Sequence, residues 1–203
     1  MTDLFDRPAP HLVIDDAFPA DEANALLHWA MGREVAFRPS RIMRSSGIDG
    51  RHVSPNVRSS RVLPLRGLAP WRPALTERFT ALLPMICRDL GTKPFERPEL
   101  DLELELAAHG DGDFYSCHRD NGVNDKTRSR VLSVVYYFNT EPAGFSGGAL
   151  RLHAMRHDVA NAVEILPRHN RLVAFPSWAP HEVMPISCPS GDFAASRFAI
   201  NCW

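Results

Sequence analysis

Lysine is nearly absent from this chain: of its 23 basic side chains only Lys93 and Lys126 are lysines, and the rest are arginines. Such a bias reads as codon usage before it reads as function. An excess of either charge is absent too. A net charge of −1 offers no global attraction to nucleic acid or to an anionic membrane, so neither is an expected partner. No apolar window reaches the roughly 20 residues that cross a bilayer. The start, Met1 to Pro8, lacks the basic and apolar regions of a secretory signal. Cysteine occurs only at positions 87, 117, 188 and 202, with no C-x-x-C pair. That spacing argues against structural zinc or disulfides and for reduced thiols in a cytoplasmic protein. No internal repeat or low-complexity segment is present.

What is present suits one soluble domain. A chain of 203 residues can bury a proper core, and 44% hydrophobic with 23% charged residues is ordinary for a globular protein. His11 to Ile14 reads as a short strand. Ala23, Leu26, Leu27 and Ala30 recur at helical spacing behind Asp21 and Glu22. A second helix is expected from Trp71 to Leu90, with Phe79, Leu82, Leu83, Ile86 and Leu90 as its apolar stripe. Pro84 is expected to kink that helix or to start another. After Pro98 the period changes. Leu100, Leu102, Leu104 and Leu106 alternate with Asp101, Glu103 and Glu105, as in a strand with one wet face. Further strands are expected at Asp113–His118, Arg130–Phe138, Ala149–His153, Ala162–Leu166, Arg171–Phe175, His181–Pro185 and Arg197–Trp203, punctuated by Gly, Pro and Asn. A few helices before about eight short antiparallel strands imply an α+β, mainly β, fold with a jelly-roll core. Residues 1–98 would supply helical support and a lid region, and residues 99–203 the strand core.

Three stretches carry the chemistry: His118-Arg119-Asp120-Asn121, Pro180-His181-Glu182-Val183 and Ser196-Arg197-Phe198. Residues two apart on a strand point the same way, so His118 and Asp120 can reach one metal together. His181 would close the set from a distant strand. Two imidazoles and one carboxylate suit Fe(II) and leave coordination positions open, as a non-haem iron oxygenase requires. The other histidines, at 11, 28, 52, 153, 157 and 169, read as surface or core residues.

Arg197 opens the apolar run Phe198-Ala199-Ile200-Asn201-Cys202-Trp203. A charged head at the start of a buried strand needs a partner. A carboxylate matches the guanidinium fork, whether it belongs to a co-substrate or to an Asp or Glu of the chain. Ala199, Asn201 and Trp203 share the strand face of Arg197 and would line the same pocket. Tyr136 and Tyr137 are adjacent and point to opposite faces, so one of them can offer its hydroxyl to the same anion.

In this order the residues resemble the iron(II)- and 2-oxoglutarate-dependent dioxygenases, in particular the prolyl 4-hydroxylase-like branch. The likeness covers residues 99–203. Gly110 to Asn121 is similar to the branch's glycine-and-aromatic approach to H-x-D-N. Val135-Tyr136-Tyr137-Phe138-Asn139 resembles its Y-Y-L-N strand, and Gly147-Gly148-Ala149-Leu150 its G-G-x-L element. The chain departs at His109, where many members carry Tyr. The resemblance implies a double-stranded β-helix, iron on His118, Asp120 and His181, and the distal carboxylate of 2-oxoglutarate on Arg197 and Tyr137. Asn201 and Trp203 would complete the co-substrate wall, with dioxygen as oxidant and ascorbate as a stimulant. A filled carboxylate position at Asp120 favours hydroxylation over halogenation, which needs that position for halide.

The implied substrate is a prolyl or other amino-acid residue of a peptide or protein, or a free amino acid. A small metabolite is the alternative, and a non-catalytic cupin-like sensor is a reading from another class. A nucleic-acid demethylase would carry a second Arg where this chain has Trp203. Between Arg33 and Arg66 eight arginines face only Glu34 and Asp49. The segment reads as a long surface loop, either a lid over an anionic substrate or a solvated loop.

Overall fold

The computed structural model describes residues 4–40, 42–43, 51–52, 56–95, 102–122, 125–156 and 160–203. The N-terminal half contains β1 (Leu12–Ile14), α1 (Ala20–Met31), β2 (Arg38–Pro39), β3 (Ile42–Met43), β4 (Arg51–His52), β5 (Arg58–Ser59), β6 (Arg61–Leu63) and α2 (Arg72–Leu90). Then come β7 (Leu104–His109), β8 (Phe114–His118), the short α3 (Asp125–Arg128), β9 (Leu132–Tyr137), β10 (Ser146–Gly147) and β11 (Leu150–His153). The chain closes with β12 (Ala162–Ile165), β13 (Arg171–Pro176), β14 (His181–Val183), β15 (Ile186–Ser187) and β16 (Arg197–Cys202).

Two antiparallel sheets form the double-stranded β-helix. The larger has the order β1-β13-β9-β16-β7-β6-β2, and the smaller β12-β11-β14-β8-β5. Alternation along the strands gives the larger sheet two buried faces. On one, Tyr136, Phe138, Leu172, Ala174, Phe198 and Ile200 pack against Leu26, Leu27 and Ala30 of α1 and Leu75, Phe79 and Ile86 of α2. On the other, Tyr137, Val173, Phe175 and Ala199 meet Leu150, Leu152 and Ile165 of the smaller sheet. The functional groups lie on this second, inter-sheet face. Phe79 is 1% exposed and serves only the helical layer. Phe79→Ala is therefore expected to cost about 3–5 kcal/mol. A lowered urea midpoint with unchanged metal affinity is the expected pair of readouts.

Pro84 does not start a second helix: α2 runs from Arg72 to Leu90 with Pro84 inside it. Pro84 lies on the exposed side of the helix, where the carbonyl it leaves unbonded can meet water. The opposite side, with Phe79, Ile86, Cys87 and Leu90, is buried. Gly91 then ends the helix in the left-handed region, φ 65°, with its N–H on the Arg88 carbonyl.

The segment Arg33–Arg66 is not simply a surface loop. β5 pairs with β8 in the smaller sheet, and β6 pairs with β7 in the larger, so residues 58–63 stitch the two sheets together. Arg58, read as part of an arginine-rich loop, is buried. Residues 41, 44–50 and 53–55 of that segment lie outside the described residues, as does the start of the Leu100 alternation. The N-terminal half thus supplies strands to both sheets as well as helices.

Candidate metal and co-substrate site

Antiparallel pairing of β8 with β14 sets His118 directly opposite His181. Asp120 follows just beyond the end of β8. Its Oδ1 is 3.6 Å from His118 Nε2, and its Oδ2 is 3.4 Å from His181 Nε2. One ligand atom from each residue falls within 4.8 Å of the others, the spread expected around a single small cation.

The imidazoles are held in the tautomer that metal binding needs. His118 Nδ1 lies 2.8 Å from the Ser116 carbonyl, and His181 Nδ1 lies 2.9 Å from the Ala179 carbonyl. A carbonyl only accepts, so Nδ1 donates in each ring and the Nε2 lone pair is left toward Asp120. Burial lowers the His181 pKa to about 4, helped by the charge of His118 and opposed by Asp120. The ring is accordingly neutral, its ligating form, near pH 7.

Asp120 is prepared in the opposite sense. Burial pushes its carboxyl upward, yet His181, His118 and a hydrogen bond from Ser133 together hold it well below the carboxylate range. The Ser133 hydroxyl donates to Oδ2 at 2.6 Å and lies 2.9 Å from the Ser177 hydroxyl. The Ser177 carbonyl accepts the backbone N–H of Asp120 and of Asn121 at 3.0 and 3.1 Å. The loop carrying Asp120 is thereby clamped from both its side chain and its backbone. Ser133→Ala should weaken Mn(II) binding by roughly 10-fold or more, as losses of outer-shell partners do. Calorimetric titration checks this, with unchanged affinity as the adverse result.

Sequence reasoning did not pick out Ser133, Ser177, Tyr115 or Arg58. Tyr115 stacks on His118 with centroids 3.6 Å apart and planes 16° apart. Arg58 covers the Tyr115 ring from 5.0 Å and bonds Glu105 at 2.6 Å. Phe175 meets His181 edge-on at 4.8 Å. Both imidazoles are therefore fixed by aromatic walls. Ser133 shares strand parity with Tyr137, the one signal that could have marked it.

The second half of the site is built around Arg197, which is 1% exposed. Its Nε donates to the Gly148 carbonyl at 2.8 Å, and Nη2 donates to the Tyr137 hydroxyl at 3.3 Å. Nη1 is 3.4 Å from His109 Nδ1. Among the described residues no carboxylate pairs with this guanidinium. The internal salt bridge that the sequence left open is thus not made there. Burial lowers the Arg197 pKa, and Tyr137 partly offsets it. Burial also raises the Tyr137 pKa against the pull of Arg197, so the phenol keeps its proton and can donate it. Of the two tyrosines, Tyr136 points to the helices and donates to Asn170 at 2.9 Å, so only Tyr137 faces Arg197. Gly148 is required for this approach. At φ 66°, a Cβ there would stand 2.8 Å from Arg197 Cδ and 2.9 Å from Ile186 Cγ1.

Asn201 is half-buried on the same face of β16, beside Glu105 and Val135 in register, and its amide makes no hydrogen bond among the described residues. Trp203 stands at the metal end of this face. Arg130 lies 4.0 Å over its ring, while the same guanidinium bonds Glu103 at 2.9 Å and reaches the Asp120 carbonyl at 3.4 Å. Trp178, 39% exposed, lies on the turn before His181.

The model of the 2OG-Fe(II) oxygenase superfamily matches residues 104–203, the stretch that holds every one of these ligand candidates. Residues 104–203 are therefore similar to that superfamily. Its cofactor set is Fe(II) and 2-oxoglutarate. The donor set fits: two imidazoles and a carboxylate for the metal, and a buried guanidinium with no carboxylate partner among the described residues for a dicarboxylate. An uncharacterized PKHD-type hydroxylase of Synechocystis is 42% identical over 64% of this chain and 46% of its own length. The chain therefore covers less than half of that relative. Among solved structures, a Trichoplax adhaerens prolyl hydroxylase in complex with a peptide fragment of hypoxia inducible factor aligns with a TM-score of 0.67 at 22% identity, covering 96% of this chain and 83% of that one. A Pseudomonas putida prolyl-4-hydroxylase aligns with a TM-score of 0.62 at 21% identity, covering 96% and 91%. At such identities the two structures establish the fold. No helix among the described residues is long and apolar enough to cross a membrane.

Proposed function

We propose that this chain is an Fe(II)- and 2-oxoglutarate-dependent dioxygenase that hydroxylates an unactivated C–H bond. The observation that carries the reading is a buried Arg197 with no carboxylate partner among the described residues, in the same inter-sheet space as three clustered metal-ligand candidates. His118, Asp120 and His181 hold the metal. Arg197 and Tyr137 fix the distal carboxylate of the co-substrate. Asn201 lines its path, and Trp203, braced by Arg130, walls the metal end. When bound, iron with 2-oxoglutarate and dioxygen supplies the oxidising chemistry, and ascorbate stimulates it. The protein's share is orientation and exclusion of water: Ser133 keeps Asp120 in place, and Tyr115 and Phe175 keep the imidazoles from turning.

The substrate we assign is a prolyl or other amino-acid residue of a peptide or protein, or a free amino acid, acted on in the cytoplasm. The likeness to two solved prolyl hydroxylases supports the substrate class, and the four free thiols support the compartment. Incubation with Fe(II), 2-oxoglutarate and a panel of prolyl peptides and free amino acids should yield succinate and a product heavier by one oxygen atom. Metal and 2-oxoglutarate binding without succinate from any member of the panel would favour the sensor reading.

A further inference from the structure

The two imidazoles of the metal site are held against different backing. Phe175, the wall of His181, is 0% exposed in the core between the sheets. Tyr115, the wall of His118, is only half-buried and lies on β8, next to the edge strand β5 of the smaller sheet. The hydrogen bond from Nδ1 to the Ser116 carbonyl fixes one point of the His118 ring but not its tilt. The tilt is set by the ring stacked on it, with centroids 3.6 Å and planes 16° apart. Whatever holds Tyr115 therefore decides where His118 Nε2 points.

Arg58 holds it. It is the register partner of Tyr115 across β5 and β8, and its guanidinium carbon stands 5.0 Å over the tyrosine ring. The guanidinium is itself fixed at two points. Nε donates to Ser60 Oγ at 3.0 Å, and Nη2 donates to Glu105 Oε1 at 2.6 Å. Glu105 belongs to β7 of the larger sheet, so the series Glu105–Arg58–Tyr115–His118 ties a metal ligand to both sheets. A buried ion pair is often exchanged for apolar side chains without loss of stability, so burial alone does not account for an arginine there. A planar fork meets two anchors while lying over a ring, which neither lysine nor an aliphatic side chain does. We propose that Arg58 is a positioning residue for the metal site: anchored by Glu105 and Ser60, it fixes Tyr115, and through Tyr115 the direction of the His118 lone pair. This rests on the metal reading above and adds to it a residue from the arginine-rich N-terminal segment.

The test is a double-mutant cycle read by Mn(II) calorimetry, with Arg58→Met, Tyr115→Leu and the two combined. Each single change is expected to weaken Mn(II) binding about tenfold, the scale of outer-shell losses, and the pair no more than the worse single change. Arg58 also lies within electrostatic reach of Asp120. A direct effect by that route would survive the loss of Tyr115, so additive losses would overturn the proposal, as would unchanged affinity in Arg58→Met. Tyr115→Phe keeps the ring and should bind Mn(II) like the unmodified protein. In Co(II)-loaded protein, Arg58→Met should shift the visible ligand-field bands, whereas Phe79→Ala, which loosens only the helical layer, should not. Equal shifts in both variants, or none in Arg58→Met, would make Arg58 a structural residue and overturn the assignment. Should Arg58→Met not fold, Glu105→Gln decides. It keeps the shape of the anchor and removes its charge, so Mn(II) binding should weaken severalfold with the same band shift; no change in either overturns the proposal. If Asp120→Ala binds Mn(II) as tightly as the unmodified protein, the metal reading itself has failed, and the role of Arg58 falls with it.

Discussion

Replacing Asp120 with alanine should abolish binding of Fe(II) or Mn(II), a larger loss than the roughly 10–100-fold that outer-shell changes cost. Asp120 is the single anion of the cluster, and both imidazoles are aimed at its two oxygens. Without it, two neutral donors face a dication with no charge to balance it. The serine clamp would also be left holding an empty position. Calorimetry with Mn(II) reads the effect, and measurable binding by Asp120→Ala would place the metal elsewhere. The same residues set an acid limit for the metal-free protein. The His181 pKa falls from 6.5 to about 4 on folding, so the unfolded chain takes up this proton first. Stability contributed by neutral His181 is full above pH 6.5 and is lost as pH falls toward 4. Asp120, held below its ordinary 3.8, extends the loss into more acidic solution. Saturating Mn(II) should shift the onset of acid unfolding downward, because it binds only the deprotonated folded site.

Arg197→Ala should reduce 2-oxoglutarate affinity by about 100-fold or more, the cost of removing one partner of a buried charge pair, while leaving Mn(II) binding nearly intact. Arg197→Lys keeps the charge but loses the fork and the bond to Gly148, so it should recover only part of that affinity. Arg197→Met makes the sharper case. A buried cation without a carboxylate costs folding free energy, and an apolar side chain of similar length is often neutral or stabilising in its place. Arg197→Met is therefore expected to match or exceed the unmodified protein in denaturant midpoint while failing to bind 2-oxoglutarate. A variant that lost stability and co-substrate binding together would instead make Arg197 a structural residue. Gly148→Ala should mimic the binding defect, since its Cβ would collide with the Arg197 stem at a backbone angle that disfavours any side chain.

Much of this was legible in the sequence, for identifiable reasons. Strand alternation is a local property, so the expected runs from Asp113 to Trp203 coincide with β8, β9, β11, β12, β13, β14 and β16 within a few residues. Parity put Ala199 and Asn201 on the face of Arg197, and the H-x-D spacing brought Asp120, just past the end of β8, to His118. The glycine pair at 147–148 stood out without revealing its task, which is contact between one backbone carbonyl and a side chain about fifty residues away.

The sequence by itself determined the donor types, their order along the chain and the two-faced strands that carry them. Tertiary structure decided which groups meet. It chose Tyr137 over Tyr136, because only one face of β9 looks between the sheets. It recruited Ser133 and Ser177 to Asp120 by bringing neighbouring strands together there. It turned Arg58 from a surface arginine into a buried wall, through the pairing of β5 with β8 in the smaller sheet. It also laid Tyr115 on His118. They stand three positions apart, and regular alternation would point them to opposite faces. The register with β14 slips between His181 and Val183, and that irregularity returns both rings to one face. Such a slip depends on how two strands pair across some sixty residues of chain, so no local pattern in either strand announces it.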